Sequence, residues 1–80
     1  MEIKTENWTD DVLVVYSENR VNNDDEPVLL AIASVEIFNS RHTNAQYTVK
    51  VFECFPEELA VIHKRCFEFV EERLRYYKRM

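Results

Sequence analysis

Glycine is absent from the 80 residues of this chain, where average usage would supply about six. Phosphate-binding loops, dinucleotide-binding fingerprints, nucleophile elbows and EF-hand calcium loops need glycine, because their backbones approach a ligand closely or adopt positive φ. The absence therefore argues against the commonest nucleotide-binding enzymes. We expect asparagine, the next most tolerant residue type, to supply positive φ in the loops. The asparagines in segments predicted as loops are Asn7, Asn19, Asn22, Asn23, Asn39 and Asn44.

The sequence also lacks an apolar run of about 18 residues, a secretory signal pattern and a lipidation motif. We therefore expect no membrane partner and a soluble cytoplasmic protein. Cysteine is scarce, since Cys54 and Cys66 are the only two. Without a secretory signal, both are expected to be reduced thiols.

Basic residues are outnumbered, with 10 lysines and arginines against 15 acidic residues and a net charge of -5. This balance disfavours non-specific binding to nucleic acid or to anionic membranes. The acids are concentrated in residues 1–40, which hold nine acidic and two basic side chains, whereas residues 41–80 hold six and eight. The chain is therefore expected to be an electrostatic dipole whose acidic half suits a basic partner.

The length predicts one small domain spanning residues 1–80. A hydrophobic fraction of 46% and an aromatic fraction of 12% are typical of a chain that folds. A chain of this size buries only roughly 60–65% of its unfolded surface, so its stability is marginal without a disulfide, a metal or a partner. A partner chain is accordingly an early hypothesis.

Three strands are predicted within residues 12–54, which form an antiparallel sheet. A β-branched and aromatic run at 12–17 predicts the first strand, and alternating apolar residues predict strands at 28–38 and 46–52. The acidic, asparagine-rich segment 18–27 predicts an exposed, mobile loop. Residues 1–11 are polar apart from Ile3 and Trp8, and are expected to be an N-terminal arm or a short edge strand.

The pairing of the second and third predicted strands is restricted by their apolar alternation. Two registers keep the apolar faces together: one places Val35 opposite Val49, and the other places Glu36 opposite Lys50. The face expected to support a helix consists of Leu29, Ala31, Ala33, Val35 and Ile37. The reverse face consists of Val28, Leu30, Ile32, Ser34, Glu36 and Phe38.

A helical period begins at Pro56 and predicts one long amphipathic helix over residues 56–79. Glu57 and Glu58 suit its positive end, and Lys78 and Arg79 suit its negative end. Its apolar stripe comprises Leu59, Ile62, Cys66, Phe69, Val70, Leu74 and Tyr77. The predicted fold is α+β, a three-stranded antiparallel sheet followed by one C-terminal helix (β-β-β-α) in two layers.

One helix cannot cover both faces of a sheet, and the predicted reverse face is apolar at several positions, including Ile32 and Phe38. A half-solvated antiparallel sheet should alternate cleanly, so this pattern implies a second cover. The N-terminal segment, a second copy of the chain and a different protein are all candidates for it.

The sequence predicts no catalytic residue, no cofactor and no metal site. His63 and Cys66 are three residues apart on the predicted helix, but no paired ligand motif accompanies them. Cys54 near His63 is the one conceivable nucleophile and base, and nothing in the sequence marks that thiol as activated. We therefore expect a protein that is not an enzyme.

The basic end of the helix is the best candidate for nucleic-acid binding, because Arg73 and Arg75 lie beside Tyr76 and Tyr77. Acidic residues interleave with these cations at helical spacing and are expected to pair with them. Nucleic acid is therefore an unlikely partner. Arg73 points into the apolar stripe, where its stem either packs with its charge in water or serves an interface.

In character, the chain is similar to the small inhibitors made by phages and to immunity proteins of toxin systems. That similarity implies a small acidic protein that inhibits a basic, nucleic-acid-handling host protein by occupying its surface. The alternatives are a structural homodimer or assembly subunit, or a weak nucleic-acid binder. The candidate partner-binding residues are Glu18, Asp24, Asp25, Glu26, Ile32, Glu36, Phe38 and Arg73.

Overall fold

The computed structural model describes residues 2–78. Its elements in chain order are β1 (Ile3–Thr9), β2 (Val12–Val21), β3 (Pro27–Phe38), β4 (Gln46–Val51) and α1 (Pro56–Lys78). The strands form one antiparallel sheet in the order β1-β2-β3-β4, so each strand pairs with its neighbour in sequence. The prediction of an α+β fold with an antiparallel sheet and one C-terminal helix is confirmed. The predicted number of three strands is wrong, and Arg79 lies outside the described residues.

The additional strand is β1, which lies at the edge of the sheet and pairs with β2 from Ile3 to Thr9. Its sequence is polar because one of its edges faces solvent and most of its side chains are exposed. Ile3 packs against the core, whereas Trp8 lies on the opposite face. The segment is therefore an edge strand rather than an arm folded across the sheet.

Of the two predicted registers between β3 and β4, the structure has the one that places Val35 opposite Val49. Val35 pairs with Val49, and Ile37 pairs with Tyr47. The alternative, in which Glu36 would face Lys50, is excluded because Glu36 pairs with Thr48. The apolar alternation of both strands was therefore sufficient to restrict the pairing.

The hairpin between β2 and β3 is tighter than predicted, because β2 continues to Val21 and β3 begins at Pro27. In the connecting loop, the Asn22 Oδ1 accepts hydrogen bonds from the backbone N–H groups of Asp24 and Glu26, at 2.8 and 3.0 Å. This is the local side-chain bonding that favours asparagine in turns. The prediction of a mobile loop over residues 18–27 is wrong for its strand residues.

Positive φ occurs at Asp25 (59°) and Asn39 (55°) among the described residues. The expectation that asparagine would supply it holds for Asn39 and fails for Asp25. Two other asparagines expected in loops, Asn7 and Asn19, lie instead in β1 and β2.

The middle of β3 contains a β-bulge at Ile32, which the sequence did not reveal. Val15 pairs with Ala33, whereas the next residue, Tyr16, pairs with Ala31. Ile32 is the extra residue, and both it and Ala33 are fully buried. A bulge places two residues opposite one and shifts the alternation of side chains by one position. Beyond it, Leu30 faces the helix and Leu29 faces solvent, the reverse of the prediction.

The placement of Ile32 on an uncovered reverse face was therefore wrong. The sequence-based assignment assumed uninterrupted alternation along β3, and it therefore placed Leu30 and Ile32 on the reverse face. With the bulge, Ile32 and Leu30 belong to the core under α1. The reverse face still carries Leu29, Ala31 and Phe38, so a second cover for it stays a prediction.

The core lies between α1 and one face of the sheet. Its helical members are Ile62, Cys66, Phe69 and Val70, and its strand members are Leu13, Val15, Ile32, Ala33, Val35 and Ile37. Leu59, predicted in the buried stripe, is 40% exposed, and the preceding residue, Glu58, is fully buried. Among the described residues, no helix has the length and apolar character needed to span a membrane.

Candidate functional site

The sheet surface turned away from α1 is the candidate functional site, and we call it the open face. Strand alternation, corrected for the bulges, places these residues on it: Lys4, Glu6, Trp8, Val12, Val14, Tyr16, Glu18, Leu29, Ala31, Ser34, Glu36, Phe38, Thr48 and Lys50. Of the described elements, α1 alone packs on the sheet, and it packs on the other side. The open face therefore presents a mixed apolar and acidic surface to solvent.

An aromatic pair lies on the β1–β2 side of the open face. The Trp8 indole Nε1 donates a hydrogen bond to the Tyr16 hydroxyl oxygen at 3.2 Å. Between them along β2 lies Val14, which is only 4% exposed although no helix covers this face. The two rings shield Val14, while Trp8 itself remains 62% exposed. Large, rigid aromatic surface of this kind is enriched at protein interfaces.

Two further apolar side chains are exposed on the same face, Leu29 at 54% and Phe38 at 43%. They lie near opposite ends of β3, which is 12 residues long. Phe38 was a predicted binding residue, and its exposure leaves it free to contact a partner. Leu29 was not predicted, because its face was assigned without the bulge.

Among the predicted acidic residues, Glu36 is exposed at the centre of the sheet, on β3. Glu18 is engaged within the chain, since its Oε1 lies 2.8 Å from the Lys4 Nζ. This hydrogen-bonded pair raises the pKa of Lys4. Exposed pairs of this type contribute little to stability, so Glu18 remains available to exchange partners.

Asp24, Asp25 and Glu26 are exposed at the tip of the β2–β3 hairpin. Phe38 lies at the other end of β3, about 35 Å away for an extended strand of this length. The structure therefore does not bring the predicted residues into one compact site. It distributes the acidic residues and Phe38 along the open face and its hairpin, whereas Ile32 lies in the core and Arg73 on α1.

Arg73 is engaged within the chain by the turn between β1 and β2. Its guanidinium lies 3.1 Å from the Asp10 carboxylate, and its Nε donates to the Asp10 carbonyl oxygen. The same group lies 5.4 Å from the Tyr76 ring centroid. That Arg73 binds a partner stays a prediction, and a partner would have to compete with Asp10 for this guanidinium.

Two further basic residues near this end of α1, Arg75 and Arg41, also contact side chains of the chain. Arg75 pairs with Glu71 at 3.0 Å, one helical turn away, as the sequence spacing predicts. The Arg41 guanidinium lies 5.4 Å from the ring centroid of Tyr77. The Arg75–Glu71 ion pair reduces the free positive charge that a nucleic-acid phosphate would need.

A buried polar cluster joins the start of α1 to the end of β2, and we call it the Glu58 cluster. The Glu58 carboxylate accepts hydrogen bonds from the Ser17 hydroxyl at 2.5 Å, the Asn19 amide at 2.8 Å and the Arg20 guanidinium at 3.1 and 3.2 Å. It also accepts the Phe55 backbone N–H at 2.8 Å. An irregularity in the ladder between Ser17 and Arg20 lets both side chains reach the helix side of the sheet.

The protonation of Glu58 follows from these contacts. Burial alone would raise the pKa of this carboxyl, because it disfavours the charged form. The hydrogen bonds from Phe55, Ser17, Arg20 and Asn19 outweigh burial and lower the pKa to about 2. Glu58 is therefore ionised at neutral pH, and the guanidinium of Arg20 compensates its charge.

The sequence did contain a signal for part of the Glu58 cluster. Glu58 stands three residues after Phe55 and two after Pro56, the first residue of α1, which is the spacing of a capping box. A glutamate at that position reaches back to the N–H of the residue before the helix. Its other partners, Ser17, Asn19 and Arg20, are far away in sequence and could not be inferred from spacing.

The cysteines and histidines are not assembled into a ligand set. Within residues 2–78, no group of three or more His, Cys, Asp or Glu side chains has a geometry that could hold a metal ion. Cys54 and Cys66 are both free thiols, and burial raises the pKa of Cys66. A raised pKa makes Cys66 a weak nucleophile at neutral pH.

The fold and the open face define a small α+β protein with a four-stranded antiparallel meander covered on one side by a single helix. Comparisons with family models, curated proteins and solved structures find no significant match to this chain.

Proposed function

We propose that this chain is a non-enzymatic binding protein that docks its open face on a basic surface of another protein. The observation that carries the proposal is the uncovered sheet face, where Trp8 is 62% exposed and Leu29 is 54% exposed. Exposed aromatic and aliphatic anchors surrounded by charged groups are typical of interaction surfaces.

The charge of the open face favours a basic partner. Glu36 is exposed on its central strand, and the hairpin at one end of it carries three consecutive acids. Fixed charges of one sign steer a partner of the opposite sign and accelerate its association. An inhibitor that competes with nucleic acid for a basic cleft is the function class that best uses this surface.

The anchoring role of the aromatic pair is tested by capturing partners with the tagged chain from a nuclease-treated lysate of its own host. The affinity of any recovered stoichiometric partner is then measured for the wild type and for Trp8→Ala. We expect at least tenfold weaker binding for the variant, because truncating a central aromatic anchor removes most of its contact area. A partner that binds the wild type and Trp8→Ala with equal affinity would show that the open face does not contact it.

The steering role is tested with a matched pair of charge reversals. One variant changes Asp24, Asp25 and Glu26 to lysine, and the control changes the exposed helix residues Glu68, Glu71 and Glu72 to lysine. Both alter the net charge equally, but only the first does so beside the open face. We expect the first to slow association and to flatten its salt dependence, and the control to retain both. Equal effects would show that net charge, rather than this surface, controls binding.

A further inference from the structure

Strand β4 forms one edge of the sheet and has unpaired backbone groups on its outer side. The Phe52 N–H donates to the Ile32 carbonyl oxygen at 2.8 Å, so even-numbered residues along β4 bond to β3. In an antiparallel ladder the alternate residues point their N–H and C=O groups the other way. Tyr47, Val49 and Val51 therefore present these groups outward.

On the helix side of this edge the side chains are apolar, whereas the alternate ones on the open face are polar or charged. Tyr47 is 50% exposed and Val51 is 43% exposed, and the ladder from Gln46 to Val51 contains no bulge. Beside the edge, Phe67 of α1 is 59% exposed. The edge and the helix enclose a groove of about 370 Å³, lined by Tyr47, Val49, His63, Lys64, Cys66 and Phe67.

The opposite edge of the sheet, β1, differs in the features that prevent strand addition. It contains an irregularity between Asn7 and Thr9, and its exposed side chains include Lys4 and Glu6. Bulges and charges are the devices by which edge strands avoid pairing with other chains. Of the two edges, β4 alone has a regular ladder and an uninterrupted apolar row on its helix side, although it also carries the charged Lys50.

We propose that β4 pairs with β4 of a second copy of this chain, antiparallel and about a two-fold axis at Val49. In this register Val49 faces Val49 of the other copy, and Tyr47 faces its Val51. All the outward N–H and C=O groups of these three residues then find partners across the axis. Tyr47 and Val51 form aromatic and β-branched cross-strand pairs, which stabilise a sheet.

The charges of the open face suit the same register. Lys50 lies opposite Thr48 of the other copy, and Thr48 pairs with Glu36 within its own chain. Each lysine therefore stands in one row with the other copy's Glu36, two strand spacings or about 10 Å away, a gap that the two long side chains span. Among the ion pairs of residues 2–78, none involves Lys50 or Glu36.

The second copy is favoured over a strand of another protein because the two-fold register is self-complementary in backbone, apolar and charged groups together. It is also closed: once the two β4 strands are paired, only the irregular β1 edges remain outside. The pair forms one sheet through both chains, with both helices on one side and a continuous open face on the other.

The oligomeric state of the full chain, measured by sedimentation equilibrium from low to high micromolar concentration, tests this pairing. We expect a mass of about twice the 9.6 kDa of one chain. Val49→Pro removes a central outward N–H without breaking the ladder to β3, and we expect it to return the mass to that of one chain. Thr5→Pro, at the centre of the other edge, is the control and should leave the dimer intact. A monomeric wild type, or a dimer that survives Val49→Pro, overturns the proposal.

A charge exchange tests the register with variants on the exposed surface that do not disturb the core. We expect Lys50→Glu to raise the dimer dissociation constant about threefold, because each new carboxylate lies in one row with Glu36 of the other copy and repels it across exposed surface. Adding Glu36→Lys should return the dissociation constant most of the way to its wild-type value. A double variant as weak as the single one would contradict the register.

Hydrogen exchange of the wild type supplies a readout that needs no variant. In the dimer the amides of Tyr47, Val49 and Val51 should be protected, and their protection should fall on dilution. The outward amides of β1, such as that of Thr5, should exchange freely at every concentration. Protection at β4 that is independent of concentration, or equal exchange at both edges, would exclude the β4 interface.

Discussion

Glu58 is a fully buried carboxylate that joins three side chains of β2 to the first turn of α1. Replacing it by glutamine keeps its shape but removes the buried counter-charge of the Arg20 guanidinium, which is 13% exposed and lies over the Phe55 ring at 4.1 Å. Its remaining acidic neighbour, Glu53, is exposed and lies 3.9 Å away. Breaking one member of such a pair costs about 3 kcal/mol or more. We expect Glu58→Gln to lower the free energy of unfolding by about that amount, measured by urea denaturation.

The control for this substitution is Glu57→Gln in the same helical turn. Glu57 is exposed, so its loss removes only a favourable interaction with the helix dipole, worth less than about 1 kcal/mol. Similar losses for the two variants would show that the Glu58 cluster does not stabilise the fold.

The pH dependence of stability follows from the same residue. The pKa of Glu58 is about 2 in the folded protein, below its ordinary value of 4.5. Its ionised form therefore stabilises the fold above about pH 4.5, and this contribution of about 3 kcal/mol is lost as the pH falls toward 2. Urea denaturation of the wild type and Glu58→Gln should give a stability difference that shrinks between pH 5 and pH 2.5. A difference that stays constant through this window would contradict the lowered pKa.

At the scale of the element, the bulge in β3 determines which side chains support the helix. Ile32 is fully buried, and Leu29, three residues before it in the same strand, is 54% exposed. We expect Ile32→Ala to lower the free energy of unfolding by about 2 to 4 kcal/mol, through lost contacts and a cavity. Leu29→Ala should change it by less than about 0.5 kcal/mol. If Leu29→Ala proved more destabilising than Ile32→Ala, the bulge would be contradicted, and Leu29 rather than Ile32 would face the helix.

How far the sequence predicts these elements depends on how local the determining contacts are. The β3–β4 register was narrowed to two candidates because the residues around Val35 and Val49 alternate regularly in strands joined by one connection, residues 39–45. The bulge was not predictable, because residues 28–33 are all apolar and any shift of alternation fits them equally well. Strand β1 was left open because its pairing with β2 depends on backbone hydrogen bonds, which leave its side chains polar.

For the candidate site, too, the features set by local sequence were predictable, and those set by long-range contacts were not. The exposure of Glu36, Phe38 and the acidic hairpin follows from local alternation and loop composition. The engagement of Arg73 by Asp10 joins residues 63 positions apart, so no spacing rule could reveal it. Leu29 was predicted to face the helix and Ile32 to lie on the reverse face. The extra residue in β3 reverses both assignments.

At the scale of the whole molecule, a chain of 80 residues has a small core and gains from any association of the folded state. A dimer that forms only from folded chains raises stability by mass action, so its thermal midpoint depends on protein concentration. We expect the midpoint of the wild type to rise by several degrees between about 5 and 500 μM, measured by circular dichroism. The midpoint of Val49→Pro should stay constant over the same range, and an equal rise in both would contradict a β4 interface.

The meander order of the sheet has a consequence for synthesis on the ribosome. Every strand pairs with the strand made just before it, and hairpins of this kind form within microseconds. The 23 residues of α1 follow only afterwards, and at ordinary translation rates they take roughly one to five seconds. Until α1 has left the ribosome, the core residues of the strands that have already emerged, such as Leu13 and Val15, lie without their cover. The nascent chain thus passes through a stage at which chaperones or neighbouring nascent copies have access to an apolar surface that the finished protein conceals.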